Sequence, residues 1–112
     1  MAAKKIDWRG TSLDDLRKFP EEARAIAGQE LRKVQHGQEP LDWKSINDWG
    51  SGVIEIRLEE GGGAFRVVYV AKFEEAIYVL HSFQKKSQKT SKNDIDVITS
   101  RYKDVVNERR KK

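Results

Sequence analysis

The sequence predicts an α+β domain: two N-terminal helices, an antiparallel β-meander of three strands, and one more helix at the C-terminus. Three observations carry this. From Glu21 to about His36, Ala23, Ile26, Ala27, Leu31 and Val34 recur at three- and four-residue spacing, the period of one helix face. Between Val53 and Phe83, three stretches rich in β-branched and aromatic residues are separated by short turns, as consecutive antiparallel strands are. Near the end, Ile95, Ile98, Tyr102, Val105 and Val106 make a second helical stripe.

Taken in order, Lys4 to Trp8 reads as a short edge strand. Thr11 to Phe19 reads as a helix carrying Leu13, Leu16 and Phe19 on one face. Ser12 with Asp15 three residues on resembles a capping box, and Pro20 ends this helix or opens the next. Gly37 then stands where a helix stop belongs, with Pro40 at the usual distance beyond. Pro40 to Gly52 reads as a connector holding two tryptophans, Trp43 and Trp49, which either cover an open edge of the core or offer a stacking surface for a base.

Val53 to Glu59 alternates strictly. Ile54, Ile56 and Leu58 take one side; Val53, Glu55, Arg57 and Glu59 take the other. Gly61, Gly62 and Gly63 supply a permissive hairpin turn. Phe65 to Ala71 is apolar on both faces apart from Arg66, as a central strand is. Lys72 to Glu75 makes a second turn, and Ala76 to Phe83 is the third strand. Ser91 with Asp94 marks the start of the last helix, whose end from Glu108 to Lys112 is expected to fray.

The 112 residues suit one domain spanning 1–112, and no apolar run approaches membrane-spanning length. Residues 1–5 lack the apolar core of a secretory signal, which makes the cytoplasm the expected location. There is no cysteine, and two histidines compose no recognisable zinc pattern. Hence no metal and no cofactor is expected. The net charge is +4, but it is unevenly placed: from Lys85 onward ten cations face four anions. That asymmetry favours an anionic partner, either nucleic acid or an acidic protein.

The third strand changes character abruptly. After Tyr78-Val79-Leu80-His81-Ser82-Phe83 come Gln84, Lys85, Lys86, Ser87, Gln88, Lys89 and Thr90. A stiff strand thus ends in a dense group of cationic and polar donors, a natural way to hold phosphate; the plainer alternative is a solvated loop. With Trp43-Lys44, Gly50-Ser51-Gly52-Val53-Ile54-Glu55-Ile56-Arg57, Gly63-Ala64-Phe65-Arg66-Val67-Val68-Tyr69, and the upstream Ser12-Leu13-Asp14-Asp15-Leu16-Arg17 and Phe19-Pro20, this block resembles the phage-derived Gp49-like branch of the RelE/HigB toxin family. The similarity covers nearly the whole chain. It implies a RelE/ParE-like fold, an N-terminal helical hairpin packed on a curved antiparallel β-meander with a C-terminal helix, and the toxin of a bacterial type II toxin–antitoxin pair. Many such toxins cut mRNA, often on the ribosome. Their antitoxins often carry a helix-turn-helix and repress the shared promoter, so operator DNA would be met only through the antitoxin. ParE-like members instead poison gyrase without cutting RNA, so fold alone does not settle activity.

RNA can be cut without metal when its own 2′-OH attacks the adjacent phosphorus. The protein must then position the backbone, help remove the 2′ proton, stabilise added negative charge and protonate the leaving oxygen. The candidates for this chemistry are Arg57, Arg66, Lys85, Lys86 and His81; those for holding the RNA are Lys44, Tyr69, Gln84, Lys89 and Arg101. Each has a plainer role beside it. Arg66 and Arg57 can pair with carboxylates across the hairpin, Glu55 or Glu59 in the case of Arg66. His81 alternates with Val79 and Phe83, which suggests an inward-facing structural histidine. Tyr69 can fill the core, and Lys44 can be a solvated lysine.

Overall fold

A computed structural model describes residues 3–111. The order of elements is β1 (Lys5–Trp8), α1 (Ser12–Arg17), α2 (Glu21–Gln35), β2 (Trp43–Ser45), a 3₁₀ turn (Asn47–Trp49), β3 (Val53–Glu60), β4 (Gly63–Val70), β5 (Ala76–Lys85) and α3 (Lys92–Arg110). The fold is α+β, with a five-stranded sheet ordered β1-β5-β4-β3-β2. The meander of β3, β4 and β5 is antiparallel as expected. Two strands enlarge it. β1 pairs parallel with β5, and β2 arises inside the predicted connector and pairs antiparallel with β3. Both are edges, and β2 is three residues long; such short strands are made by the neighbour they dock on rather than by their own propensity.

Helices cover both faces of the sheet. On one face α1 and α2 bury Leu16, Phe19, Ala23, Ala27, Leu31 and Val34 against Ile56, Leu58, Phe65, Val67, Ile77 and Val79. The alanines let α2 approach closely, as the narrow stripe in the sequence implies. On the other face α3 sets Ile98 and Val105 against Val53, Val68, Val70, Ala76, Tyr78 and Leu80.

The helix ends follow local chemistry. α2 stops in a Schellman motif: Gly37 takes φ +81°, its N–H donates to the Val34 carbonyl, and the Gln38 N–H donates to that of Lys33. α3 starts at Ser91, whose Oγ accepts from the Asp94 N–H at 3.1 Å. The expected capping box at Ser12 does not form. Thr11 takes the N-cap position and bonds the Asp15 carboxylate through Oγ1 (2.7 Å), while Ser12 turns inward and donates to the Val79 carbonyl. The end of α3 is not frayed through Arg110, because Glu108 pairs with Arg9 and Arg109 with Glu75.

One irregularity positions the site. The β4–β5 register slips between Val68 and Tyr69: Val68 faces His81, yet Tyr69 faces Val79. Leu80 is the extra residue of a β-bulge, and beyond it the alternation of β5 is inverted. The phase expected for His81 is therefore corrected: Val79 lies on the α1–α2 face, whereas His81 and Phe83 lie on the α3 face. Arg101 secures the bulge by donating to the Leu80 carbonyl at 2.8 Å, with a second contact to Thr11 Oγ1.

Candidate functional site

α3 runs back along β5 from His81 toward Ala76 and covers only that half of its sheet face. The other half stays open. Directly paired residues share a face, so the ladder defines its rows. Lys44, Glu55, Val68 and His81 form one; Arg57, Arg66 and Phe83 the next; Glu59, Ala64 and Lys85 the third. Arg57, Arg66 and Lys85 are thus brought together with Lys44 as a neighbour, and two carboxylates, Glu55 and Glu59, stand among them.

Arg66 is buried, at 4% exposure, and so is Glu55, also at 4%. Arg66 Nε lies 3.8 Å from Glu55 Oε1, and Nη2 lies 3.7 Å from Glu59 Oε1. These are charge contacts, too long for hydrogen bonds. Nη1 alone donates, to the Phe65 carbonyl at 3.0 Å. Among the described residues Arg66 Nε and Glu55 Oε2 have no hydrogen-bond partner although both are buried. Buried polar atoms are rarely left so, and here two of opposite charge stand side by side. Burial pushes the Glu55 carboxyl above its ordinary pKa; the cations Arg66, Lys85, Arg57 and Lys44 pull the other way without cancelling it.

Glu55 and Lys85 also line a cleft of about 440 Å³. Its other walls are Lys44 of β2, the 3₁₀ turn with Trp49, and Thr90 from the loop before α3. Lys86 and Lys89 are exposed on that loop. His81 borders the group from under α3. Its Nε2 is 2.8 Å from Asp94 Oδ1, its ring stacks on Phe83 with centroids 5.0 Å apart, and its Nδ1 is buried without a partner. Asp94 also accepts from Ser91 Oγ at 2.7 Å, so one carboxylate holds both His81 and the start of α3.

Three candidates lie elsewhere. Tyr69 is 2% exposed in the core under α2, where burial, with Glu39 and Glu30 nearby, raises its hydroxyl pKa. It fills the core and offers no face to a base. Gln84 sits opposite Phe65 and turns to the α1–α2 face, beside Pro20, Glu21 and the glycine hairpin. Arg101 spends its guanidinium on the bulge carbonyl. Trp43 shares a row with Ile56 on the α2 side and is 38% exposed. Trp49 packs on the α3-side core and lines the cleft.

Glu55 is the residue that sequence reasoning missed as a functional group. Its signal was present in the alternation, on the Arg57 side of the strand, but an acid there reads as a solvated partner for arginine. Only the ladder, with cations on both flanks and β2 outside it, marks Glu55 as buried. Among the described residues no three His, Cys, Asp or Glu side chains gather in a way that could hold a metal ion. No helix among them is long and apolar enough to cross a membrane.

No curated protein matches the chain. A family model does, over residues 14–103, a span that includes every residue of the cleft. That family is described as phage derived protein Gp49-like (DUF891), and the chain belongs to it.

Proposed function

We propose that this protein is the toxin of a type II toxin–antitoxin pair and acts as a metal-independent endoribonuclease on mRNA, on or off the ribosome. One observation carries the reading: a buried carboxyl of raised pKa, Glu55, stands ringed by Arg57, Arg66, Lys85 and Lys44 at an open cleft. A carboxylate that resists ionisation is a stronger base once ionised, and four cations beside it suit a phosphate that gains charge.

In this reading Glu55 takes the proton from a ribose 2′-OH. The freed oxygen attacks the neighbouring phosphorus and the P–O5′ bond breaks, leaving a 2′,3′-cyclic phosphate and a 5′-hydroxyl. Arg66, Arg57 and Lys85 stabilise the non-bridging oxygens, and Lys44 and Lys89 hold flanking phosphates. Lys86 and His81 are the proposed donors of the proton to O5′, and single variants tell them apart. Arg66 acts at short range with little reorganisation, because it is buried and held by the Phe65 carbonyl and the two carboxylates before substrate arrives, whereas Arg57 reaches in from the exposed side.

The cognate antitoxin, a helix-turn-helix protein in this reading, silences the toxin by covering the same cationic patch. The test is expression followed by end mapping. Growth arrest with new 5′-hydroxyl ends in mRNA, undiminished by chelator in the purified reaction and lost in Glu55→Gln, is expected. Arrest with intact RNA overturns the nuclease and favours a ParE-type binder of gyrase. Antitoxin binding without arrest identifies a toxin that has lost its activity.

A further inference from the structure

We infer that the RNA strand continues past the cleft onto a second surface, built from Lys72 and from Tyr102, Val106 and Arg110 of α3; this rests on the ribonuclease reading above. Tyr102, Val106 and Arg110 stand four residues apart on one stripe of the helix. A hollow opens on either side of that stripe. One, of about 290 Å³, is completed by Lys72, Phe73 and Arg109; the other, of about 230 Å³, by Lys103 and Asn107. Lys72 Nζ lies 5.1 Å from the Phe73 ring centre and 6.0 Å from that of Tyr102.

The charges here are free to take a ligand. Arg109 is bound to Glu75 and packs over Phe73 at 3.9 Å. Lys72, Lys103 and Arg110, by contrast, have no carboxylate partner among the described residues. All three are exposed, while the Phe73 and Tyr102 rings are half-buried. A line of exposed cations beside a groove is the pattern by which a single nucleic-acid strand is tracked through its phosphates; with Arg109 over Phe73 and Gly50 on Tyr102, the rings form the floor that carries those cations. The direct continuation of these cations from the cleft, rather than their charge alone, points to the same strand and not to an acidic protein surface.

The surface is continuous with the cleft. Trp49 lines the cleft, and the next residue, Gly50, is pressed on the Tyr102 ring so closely that a Cβ there would lie 2.7 Å from it. Tyr102 Oη donates to the Ser51 carbonyl at 2.9 Å. A strand leaving the cleft therefore has only this one turn to cross.

The experiment measures binding of labelled oligouridylates of about four and about twelve nucleotides, lengths that span the usual site sizes, in a Glu55→Gln background that prevents cutting. The charge reversals Lys72→Glu and Arg110→Glu are compared with that parent. Both residues are exposed, and a thermal melt checks that the fold is kept. We expect the double reversal to weaken the longer oligomer about tenfold or more at low salt and to spare the shorter one. The salt dependence of the longer should become shallower by about 1.4, the counterions of two phosphate contacts on a single strand. Unchanged affinity for the longer oligomer overturns the track and leaves the nuclease reading standing if wild type still cuts RNA. A parent that binds neither length, with a wild type that cuts no RNA, overturns both.

Discussion

The same three strands build two different surfaces on one face of the sheet. Under α3 they present Val53, Val68, Val70, Ala76, Tyr78 and Leu80, a packed apolar layer. A few residues along they present Glu55, Arg57, Glu59, Arg66 and Lys85, and no helix lies over them. Among the described residues, two of the four buried side-chain atoms without hydrogen bonds, Glu55 Oε2 and Arg66 Nε, are in this open half, and a third, His81 Nδ1, is on its border. Buried ion pairs seldom beat apolar packing of the same volume. The polar half is thus maintained against stability, and a functional site is the ordinary reason for that.

The most severe way to break this contrast is to make the open half resemble the covered one. Glu55→Leu with Arg66→Met removes both members of the buried pair. By the behaviour of such pairs the fold should be retained, between neutral and about 4 kcal/mol more stable. RNA cleavage should fall by about 10²–10³ or more, the cost of losing one preorganised charge-stabilising group. Arg66→Ala alone should be worse for the fold, by about 3–5 kcal/mol, because it strands Glu55. Denaturant melts and end mapping on the same samples check both halves of the claim. A double variant that still cuts RNA near the wild-type rate removes Glu55 and Arg66 from the chemistry.

The converse change falls on the covered half. Ile98 on α3 is fully buried against the sheet, and Ile98→Ala should cost about 2–5 kcal/mol from lost burial and the cavity left behind. Cleavage per folded molecule, measured well below the melting point, should be unchanged. A variant that is stable but slow would mean that α3 packing, through Asp94 and His81, sets the geometry of the site.

Lys85→Ala separates cutting from silencing. Cleavage should drop by an order of magnitude or more, since Lys85 faces Glu55 in the cleft. Antitoxin affinity should change little, as binding energy is shared among about 20–30 residues a side and few of them dominate. Equal losses in both assays would make the patch the centre of the antitoxin interface.

The division between the halves was only partly legible in the sequence. Strict alternation from Val53 to Glu59 sorted that strand correctly, and Arg66 stood out because it was the only charge in an apolar run. His81 does face inward and is hydrogen-bonded, but not on the face of Val79, since no polar–apolar alternation from Tyr78 to Phe83 marks the Leu80 bulge. Arg101 looked like one more cation in a basic segment; its work on the Leu80 carbonyl exists only once that bulge exists. Tyr69 was ambiguous because a central strand is covered on both faces and a ring can serve either. β1 was legible as a short edge strand, but its parallel partner, some seventy residues away, was not; β2, three residues inside the connector, is made by the strand it docks on.

The smallest expected effects are those of pH, and they sharpen the contrast because the two regions carry carboxylates shifted in opposite directions. Glu75, at the far end of α3, accepts from Arg109 and from the Tyr78 hydroxyl. Those bonds pull its pKa from 4.5 to about 2. Its stabilising contribution is therefore complete above pH 4.5 and is lost as pH falls through about 2. Glu55 is raised by burial, so the opposite holds: its protonated form suits the fold, and that contribution is lost as pH rises through the raised value. Melting temperature against pH for wild type, Glu75→Gln and Glu55→Gln reads both. Glu75→Gln should flatten the decline below pH 4.5, whereas Glu55→Gln should remove a small loss of stability at higher pH. In the proposed ribonuclease reading cleavage uses Glu55 ionised, so its acid limb is expected to be displaced upward from 4.5, in the direction of the raised Glu55 pKa. If the two variants instead change the stability profile with the same sign, the Glu55 carboxyl is not penalised by burial, and the open half of the sheet holds an ordinary ion pair rather than a base.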